Sequence, residues 1–297
     1  MKGRDLISIA DLTPGEVHHL IERALALKAE GPRPILEGKA LAILFEKPSL
    51  RTRVSFDVGI RQLGGHPLYL SPAEVGLGQR EPVADVARVL SRYVDGIIAR
   101  TFAHRTVELL ASHASVPVIN ALSDAEHPCQ VLSDLLTMYQ KKGRLEGLAV
   151  AYIGDANNVA TSLLLACSML GMELKMASPP GYGPTEELMA RAQGGRVTVT
   201  EDPREAARGA DVVYTDVWTS MGQEAEAQRR RQAFARYQVD AALLALARED
   251  ALFMHPLPAH HGEEIAEGLL DVPQSVVFDQ AENRLHMQKA LLAELMA

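Results

Sequence analysis

Residues 39–53 read KALAILFEKPSLRTR, an apolar run that passes directly into a cationic segment. The apolar run at about 39–46 predicts a buried strand, and Ser49 predicts the N-cap of a helix over about 50–63. A strand that is apolar along its whole length is typical of a parallel sheet covered by helices on both faces. Residues 39–53 therefore predict the first strand–helix unit of an α/β fold.

Short apolar runs alternate with helical patterns along the rest of the chain, which is the pattern of parallel sheets. In the first half, further strands are predicted at about 67–70, 96–100 and 116–120, and helices at about 82–93, 105–113 and 127–142. In the second half, strands are predicted at about 147–153, 172–177, 197–199, 211–215, 251–254 and 276–278.

The two series are separated at Lys141–Arg144, where cations and a glycine mark the end of a helix. A chain of 297 residues suffices for two domains of roughly 150 residues each. We therefore predict an α/β fold with two similar domains, each an open parallel sheet with helices on both faces. The expected domains are 1–143 and 147–280, with a closing helix at 281–297 that packs back on the first domain.

Composition limits the classes of partner. The net charge of −8 argues against a nucleic-acid binder, and the hydrophobic content of 47% excludes a disordered chain. Two cysteines cannot form a disulfide framework or a four-thiolate metal site. The start lacks the apolar run of a signal peptide, and no window resembles a membrane span. We therefore expect a cytoplasmic protein with no membrane partner.

The segment after the first strand is the first candidate ligand site, because open parallel sheets bind ligands at the carboxyl ends of their strands. Amides at the start of the following helix suit a phosphate or carboxylate, and Lys47, Arg51 and Arg53 add positive charge. Arg51 and Arg53 diverge by about 200° around the helix. We expect Arg51 to contact the ligand and Arg53 to form an ion pair; a solvated basic helix start is the alternative.

Polar residues also lie at or after the ends of two further predicted strands, at 96–100 and 116–120. Arg100 ends the strand at 96–100, where it either binds a ligand or marks the exit to solvent. His127 and Gln130 follow the strand at 116–120; an imidazole can polarise a carbonyl, and a glutamine amide both donates and accepts. Cys129, a small residue at a helix start, is interpreted as a packing residue and not as a nucleophile.

The second half offers polar residues for a different ligand. Gly154 alone does not make the G-x-G-x-x-G pattern of a dinucleotide site, so Asn157 and Asn158 are better suited to a small polar ligand. Asp216 could pair with an ammonium group or form an Asx turn.

The histidines of the segment 255–264 carry the last candidate site. His255 and His260 are separated by two prolines and lack the H-E-x-x-H arrangement, so we expect no metal. The prolines favour a rigid loop that presents backbone carbonyls.

Four motifs occur in a specific order: Ser-x-Arg-Thr-Arg at 49–53, His-Pro-x-Gln at 127–130, Asp-x-x-x-Ser-Met-Gly at 216–222 and His-x-Leu-Pro at 255–258. Together they resemble the aspartate/ornithine carbamoyltransferase family over essentially the whole chain. Residues 216–222 and 278–284 resemble the ornithine-specific members of that family.

The resemblance implies a reaction in which carbamoyl phosphate and L-ornithine give L-citrulline and phosphate, a step of arginine biosynthesis. It also implies no cofactor and no metal, and a homotrimer or higher homo-oligomer. Within the class, aspartate, putrescine or an N-acylornithine could replace ornithine as the amine. A nicotinamide-dependent reductase and a non-catalytic binding homologue are the alternatives outside it.

The resemblance also implies roles for individual residues, with the two substrates held across a cleft between the domains. The catalytic residues would be Arg51, Arg100, His127 and Gln130, aimed at the negative charge that develops in the reaction. Carbamoyl phosphate would bind to Ser49, Leu50, Arg51, Thr52, Arg100, His127, Gln130, Pro256, Leu257 and Arg284. Ornithine would bind to Asn158, Asp216, Ser220 and Met221.

Three positions depart from the family pattern. Pro256 stands where the ornithine-specific members carry a cysteine, and His-Pro-Leu-Pro is the form found in the aspartate-specific members. Leu50 replaces a common threonine, so only its backbone amide can contact the phosphate. Gly76 replaces a common glutamine, whose contact Gln79 could supply. The residues do not identify the general base or the direction in which the reaction runs.

Overall fold

Two parallel β-sheets organise the chain, and the predicted α/β class with two sheet domains is confirmed. The computed structural model describes residues 1–192 and 194–297. Unit 1 consists of Met1–Leu136 and Glu282–Ala297, and unit 2 of Thr137–Ala281.

Unit 1 contains a four-stranded sheet in which every neighbouring pair is parallel. The strand order is β2-β1-β3-β4. Ala42, Ile97 and Val118 are fully buried in its core, as expected for strands that are apolar on both faces. Its strands are β1 (Ala40–Phe45), β2 (His66–Leu70), β3 (Gly96–Arg100) and β4 (Val118–Leu122).

Unit 2 contains a five-stranded parallel sheet with the order β7-β6-β5-β8-β9. Ile153, Val213 and Phe253 are fully buried in its core, and the ring of Trp218 stacks on that of Phe234. Its strands are β5 (Ala149–Ile153), β6 (Glu173–Ala177), β7 (Arg196–Thr200), β8 (Val212–Thr215) and β9 (Leu252–Met254).

Helices connect the strands. In unit 1, they are α1 (Pro14–Glu30), α2 (Leu50–Gln62), α3 (Pro72–Val75), α4 (Val83–Leu90) and α5 (His104–His113). In unit 2, they are α7 (Asn158–Met169), α8 (Glu186–Arg191), α9 (Pro203–Ala207), α10 (Ala227–Phe234) and α11 (Ala241–Leu244). Two further helices contribute residues to both units, α6 (Pro128–Lys142) and α12 (Val277–Met296). None of the helices in the described part of the chain has both the length and the apolar content needed to cross a membrane.

The strand expected at 276–278 is wrong. Val276 donates to the carbonyl of Phe253 at 3.0 Å, and Ser275 forms an isolated bridge to the same residue, so the segment pairs only briefly with β9. α12 then begins at Val277. The apolar run of Val276 to Phe278 is therefore the approach to a long helix and its first turn.

In each sheet, the order of the strands reverses once, between β1 and β3 in unit 1 and between β5 and β8 in unit 2. Open α/β sheets bind ligands outside the carboxyl ends of their strands at that point, because the two connecting segments diverge there and leave a crevice. The fold thus indicates one ligand-binding edge in each unit.

Candidate active site

At the ligand-binding edge of unit 1, β1 leads into α2. Ser49 caps the helix and its Oγ accepts a hydrogen bond from the amide of Thr52 at 3.3 Å. Leu50 and Arg51 occupy the first helical turn, where an α-helix offers its own amides no acceptor. Those amides and the positive end of the helix dipole make the start of α2 suitable for an anion.

Arg100, the last residue of β3, lies at the same edge. Its side chain is only 7% exposed, and burial together with the charges of Arg284 and Arg51 lowers its pKa to about 10. Its Nε is buried without a hydrogen-bond partner among the described residues. Neither Arg100 nor Arg51 forms an ion pair with a carboxylate in the described part of the chain. Neighbouring guanidinium groups without a carboxylate favour an anionic ligand.

Arg284 of α12 connects two of the other predicted residues. It donates to Thr52 Oγ1 at 2.9 Å and to Gln130 Oε1. Gln130 in turn donates from Nε2 to Asp134 Oδ1 at 2.8 Å. Both ends of the Gln130 amide are engaged, so this side chain orients Arg284 and keeps one N–H of Nε2 and one lone pair of Oε1 for a ligand.

His127 is a further titratable group at this edge. It is 5% exposed, and burial, followed by the charges of Arg284 and Arg100, holds its pKa well below the usual value. The ring is therefore neutral at physiological pH and would polarise a ligand oxygen by donating a hydrogen bond, not as a cation. The nearby Cys129 is buried, and burial raises its pKa to about 12, as expected for a packing residue and not for a nucleophile.

The expectation that Arg53 forms an ion pair is wrong. Its guanidinium lies over the ring of Tyr69, 3.8 Å from the ring centroid, and the described residues offer it no carboxylate partner within 4.0 Å. An arginine held in this way contributes a cation–π contact between α2 and the edge strand β2.

At the ligand-binding edge of unit 2, Asp216 follows β8. The carboxylate is 8% exposed; its Oδ1 accepts from the amide of Val217 and its Oδ2 from Asn157 Nδ2, both at 2.8 Å. Burial raises the pKa of Asp216, while the nearby His255 and the two hydrogen bonds lower it. A buried carboxylate in this position suits an ammonium group.

The remaining residues predicted to bind the amino acid are spread over this edge. Asn158 is the first residue of α7, beside the Asp216 partner Asn157. The amide of Ser220 donates to Gln223 Oε1 at 3.0 Å, and Met221 is half exposed. Within the described residues, no hydrogen bond connects Ser220 or Met221 to Asp216. The structure therefore places these two in the loop after Asp216 without joining them to its carboxylate.

Pro256 and Leu257 lie in the loop that follows β9 in unit 2. The buried His255 organises this loop: its Nδ1 accepts from the amide of Leu257 at 2.9 Å, and its Nε2 lies 3.2 Å from Glu264 Oε1. These partners assign the ring proton to Nε2. Leu257 has a φ of 56°, in the left-handed region that a branched side chain rarely adopts. The loop is thus fixed by side chains, which suits the presentation of backbone carbonyls.

Among the described residues, three side chains of this segment form a cluster with the spacing of metal ligands. Ligand atoms of His260, Glu263 and Glu264 all lie within 4.8 Å of one another. Glu263 accepts from Arg231 Nε at 2.8 Å, and Glu264 Oε1 accepts from the amide of His260. Both carboxylates thus have protein donors as partners, and the absence of a metal stays a prediction.

Sequence reasoning missed the supporting roles of three residues at these edges, including Asn157, which it named only as suited to a small polar ligand. Asn157 could have been identified as the cap of α7, because asparagine before an apolar helical run is a common N-cap. Glu264 and Gln280, which accepts from the amide of His255 at 2.9 Å, carry no local signal. Their partners are brought to them only by the fold.

Comparison with known proteins places this geometry in a family. The carbamoyl-P binding domain of the aspartate/ornithine carbamoyltransferases matches residues 4–140, and the Asp/Orn binding domain of the same family matches residues 146–295. An ornithine carbamoyltransferase from Anoxybacillus flavithermus is 53% identical over 306 residues, which cover 100% of this chain and 98% of the relative.

A second relative and a solved structure point to the same family. The ornithine carbamoyltransferase of Pyrococcus abyssi is 51% identical and covers 100% of this chain and 96% of its own length. The solved ornithine carbamoyltransferase from Pyrococcus furiosus superposes with a TM-score of 0.96 at 50% identity, covering 99% of this chain and 97% of that one. The chain belongs to the aspartate/ornithine carbamoyltransferase family.

Proposed function

We propose that this chain transfers the carbamoyl group of carbamoyl phosphate to the δ-amine of L-ornithine, which gives L-citrulline and phosphate. The observation that carries the proposal is the group of Arg51, Arg100 and Arg284 near the neutral His127 in unit 1. A phosphate dianion offsets two of these three positive charges. Relatives named for the same reaction, 51–53% identical over the whole chain, support it further.

In unit 1, we assign the phosphate to the start of α2 and the arginines. Ser49, Leu50, Arg51 and Thr52 supply the first turn of the helix, with Leu50 acting through its amide. Arg284, held by Thr52 and Gln130, completes the anion site. Arg100 and His127 donate to the carbonyl and bridging oxygens, where negative charge develops.

In unit 2, we assign the α-ammonium of ornithine to the Asp216 carboxylate. Asn158, Ser220 and Met221 bind the other backbone groups of the amino acid. The carbonyls of Pro256 and Leu257, in the loop fixed by His255, accept from the carbamoyl nitrogen.

The chemistry follows from these groups. The neutral δ-amine attacks the carbamoyl carbon, and the carbonyl oxygen gains negative charge. The tetrahedral intermediate then collapses, the bond from carbon to the phosphate oxygen breaks, and the proton that the amine nitrogen gives up ends on the departing phosphate. Donors that are already in place stabilise the charge without reorganisation, and one such donor is worth roughly 10²–10³ in rate. The amine must first lose a proton, because an alkylammonium has a pKa near 10.

A panel of amines tests the substrate assignment. The purified chain is incubated with carbamoyl phosphate and, separately, with L-ornithine, L-aspartate, putrescine and N-acetylornithine, and the carbamoylated products are measured. We expect citrulline to form at the highest rate. Aspartate is the second candidate, because Pro256 gives the loop the His-Pro-Leu-Pro form. Carbamoyl-aspartate without citrulline would contradict the proposal.

Two arginines of α2 provide a matched pair of variants for the phosphate site. Arg51→Ala removes a guanidinium assigned to the phosphate and is expected to lower kcat/KM by at least about 100-fold. Arg53→Ala, two residues away, removes only the contact with Tyr69 and is expected to leave turnover nearly unchanged. Equal effects of the two substitutions would show that α2 does not bind the phosphate through Arg51.

The proposal includes three further points that rest on the family resemblance. The chain acts in the cytoplasm in arginine biosynthesis, it assembles as a homotrimer, and its substrate-binding domains are residues 1–143 and 147–280, with 281–297 returning to the first. Light scattering is expected to give three times the chain mass of 32.3 kDa. A monomer that turns over at the full rate would contradict the trimer.

A further inference from the structure

Asn157, the N-cap of α7, has hydrogen bonds that decide the orientation of its side-chain amide. Asn157 Oδ1 accepts from the amides of Val159 at 3.0 Å and Ala160 at 3.1 Å, and from the more distant hydroxyl of Tyr152 at 3.4 Å. Its Nδ2 must then point the other way, and it donates to Asp216 Oδ2 at 2.8 Å. The helix cap therefore fixes which end of the amide faces the carboxylate.

We infer that Asn157 is a positioning residue that locks the Asp216 carboxylate in the orientation that receives the α-ammonium of the amino-acid substrate. The role assigned to Asn157 needs no contact with the substrate, because its oxygen caps the helix and one N–H of Nδ2 binds Asp216. The inference rests on the proposed function and adds to it the residue that holds the ammonium acceptor in place.

The hydrogen bonds around Asp216 show how the positioning works. Each carboxylate oxygen receives one donor, Val217 N on Oδ1 and Asn157 Nδ2 on Oδ2, which leaves about half of the acceptor sites for an ammonium group. The donor from Val217 belongs to the adjacent residue and does not fix the carboxylate relative to α7. Asn157 supplies that restraint across 59 residues of sequence.

The hydrogen bond from Asn157 also affects the pKa of Asp216. The titratable groups that face Asp216 are His255, Glu264 and Tyr152. His255 lowers the pKa of Asp216 and Glu264 raises it. Burial raises the pKa of Tyr152, and the charges of Asp216 and Asp155 raise it further. Burial already raises the pKa of Asp216. Loss of the Asn157 donor raises it again, so the carboxyl stays protonated, and unable to bind an ammonium group, up to a higher pH.

Two substitutions at position 157 separate positioning from capping. Asn157→Ser keeps a good N-cap for α7 but removes the donor to Asp216, whereas Asn157→Ala removes both. The control is Thr185→Ala, which deletes the cap of α8 in the same unit, where Thr185 Oγ1 accepts from Leu188 N at 3.2 Å, without a contact to Asp216.

The probe is L-norvaline, the ornithine analogue without the δ-amine, titrated calorimetrically in the presence of carbamoyl phosphate between about pH 5 and pH 8. Norvaline cannot react, and its α-ammonium stays protonated over this range, so the pH dependence reports the protein. For Asn157→Ser, we expect a norvaline Kd and an ornithine KM raised about 10-fold or more, because a hydrogen bond to a charged group is lost. We also expect a smaller change in kcat, and binding that is lost at a higher pH on acidification than in the unmodified protein.

The outcomes distinguish the inference from the proposed function. Thr185→Ala should lower thermal stability and leave the norvaline Kd and its pH midpoint unchanged. If Asn157→Ser behaves like Thr185→Ala while the unmodified protein binds norvaline and forms citrulline, Asn157 is only a cap and the inference is wrong. If the unmodified protein neither binds norvaline nor forms citrulline, the proposed function is wrong, and the inference fails with it.

Discussion

The ligand-binding edges of the two units differ in charge although their positions in the fold are equivalent. In unit 1, Arg51 lies in the helix after β1 and Arg100 ends β3, and the strand order reverses between these two strands. In unit 2, Asn157 and Asp216 follow β5 and β8, which flank the reversal of that sheet. Sheet topology thus indicates one ligand-binding edge in each unit, and the residues at the strand ends favour an anion in unit 1 and an ammonium group in unit 2.

The helices that start at these edges, α2 and α7, differ in how far side chains of the protein occupy their first amides. Ser49 caps one amide of α2, which leaves the positive end of that helix for a ligand. Asn157 caps two amides of α7 and is itself bonded to Asp216, so the protein uses that helix start for its own carboxylate. A dinucleotide phosphate, which would need those amides, is disfavoured at α7.

Arg100 is expected to give the largest single effect, and it tests the cationic side of the comparison. Arg100→Met removes a buried guanidinium with no carboxylate partner, so kcat/KM should fall by about 10³-fold. Thermal stability should not fall in parallel, because the substitution also relieves repulsion with Arg284 and Arg51.

The control for this substitution is Arg88→Met, which removes an exposed guanidinium that pairs with Asp85 Oδ1 at 3.0 Å. Such surface pairs contribute little, so both activity and stability should stay close to those of the unmodified protein. If Arg100→Met keeps more than about a tenth of the activity, Arg100 is a structural residue and not a donor to the developing charge.

Asp216 is expected to give the next largest effect, and it tests whether the two edges bind different substrates. Asp216→Asn removes the negative charge but keeps the shape of the side chain, so the KM for ornithine should rise about 100-fold. Binding of inorganic phosphate, assigned to unit 1, should be unchanged. Equal losses for ornithine and phosphate, measured by titration of each, would contradict the division of the substrates between the units.

Much of the fold could be predicted because buried parallel strands are apolar along their length, as at 39–46 and 96–100. The same signal failed at 276–278, where three apolar residues belong to a helix start, since a short apolar run does not distinguish strand from helix. Arg53 was misjudged because its partner, Tyr69, lies on a different element.

The candidate site shows the same division between local and long-range information. Residues that follow strands were identified from their positions, because the fold class itself directs attention to strand ends. The hydrogen bonds that hold these residues were not identified, because they join distant parts of the sequence. Arg284 contacts Thr52 across 232 residues, and Asn157 contacts Asp216 across 59. A single sequence contains no signal for such pairs, since they depend on how the elements pack.

A smaller effect is expected in the pH dependence of stability, which tests the buried carboxylate of Asp216 at the ligand-binding edge of unit 2. Burial raises the pKa of Asp216 above the unfolded value of 3.8, so its contribution to stability is present at low pH and is lost as pH rises through the folded pKa. Asp216→Asn lacks this loss. The difference in Tm between the variant and the unmodified protein should therefore grow in favour of the variant from acidic to neutral pH, and a constant difference would contradict the raised pKa.

Thiol reagents are expected to give the smallest effect. The sequence contains two cysteines, Cys129 and Cys167, both buried and each with a pKa that burial raises to about 12. At pH 8, a thiol with such a pKa is ionised to only about one part in 10⁴. Iodoacetamide should therefore not modify the protein, and mass spectrometry of the intact protein should show no added group. Turnover, measured on the same sample, should be unchanged.

The variant P256C turns this result into a test of the loop in unit 2. It places a thiol next to Leu257, in the half-buried loop that His255 holds, so modification and loss of activity should now occur together. If the loop contributes its carbonyls to the carbamoyl group, carbamoyl phosphate should slow the modification, because a bound ligand blocks access to the thiol. Modification at an unchanged rate, or modification without loss of activity, would remove Pro256 and Leu257 from the proposed site.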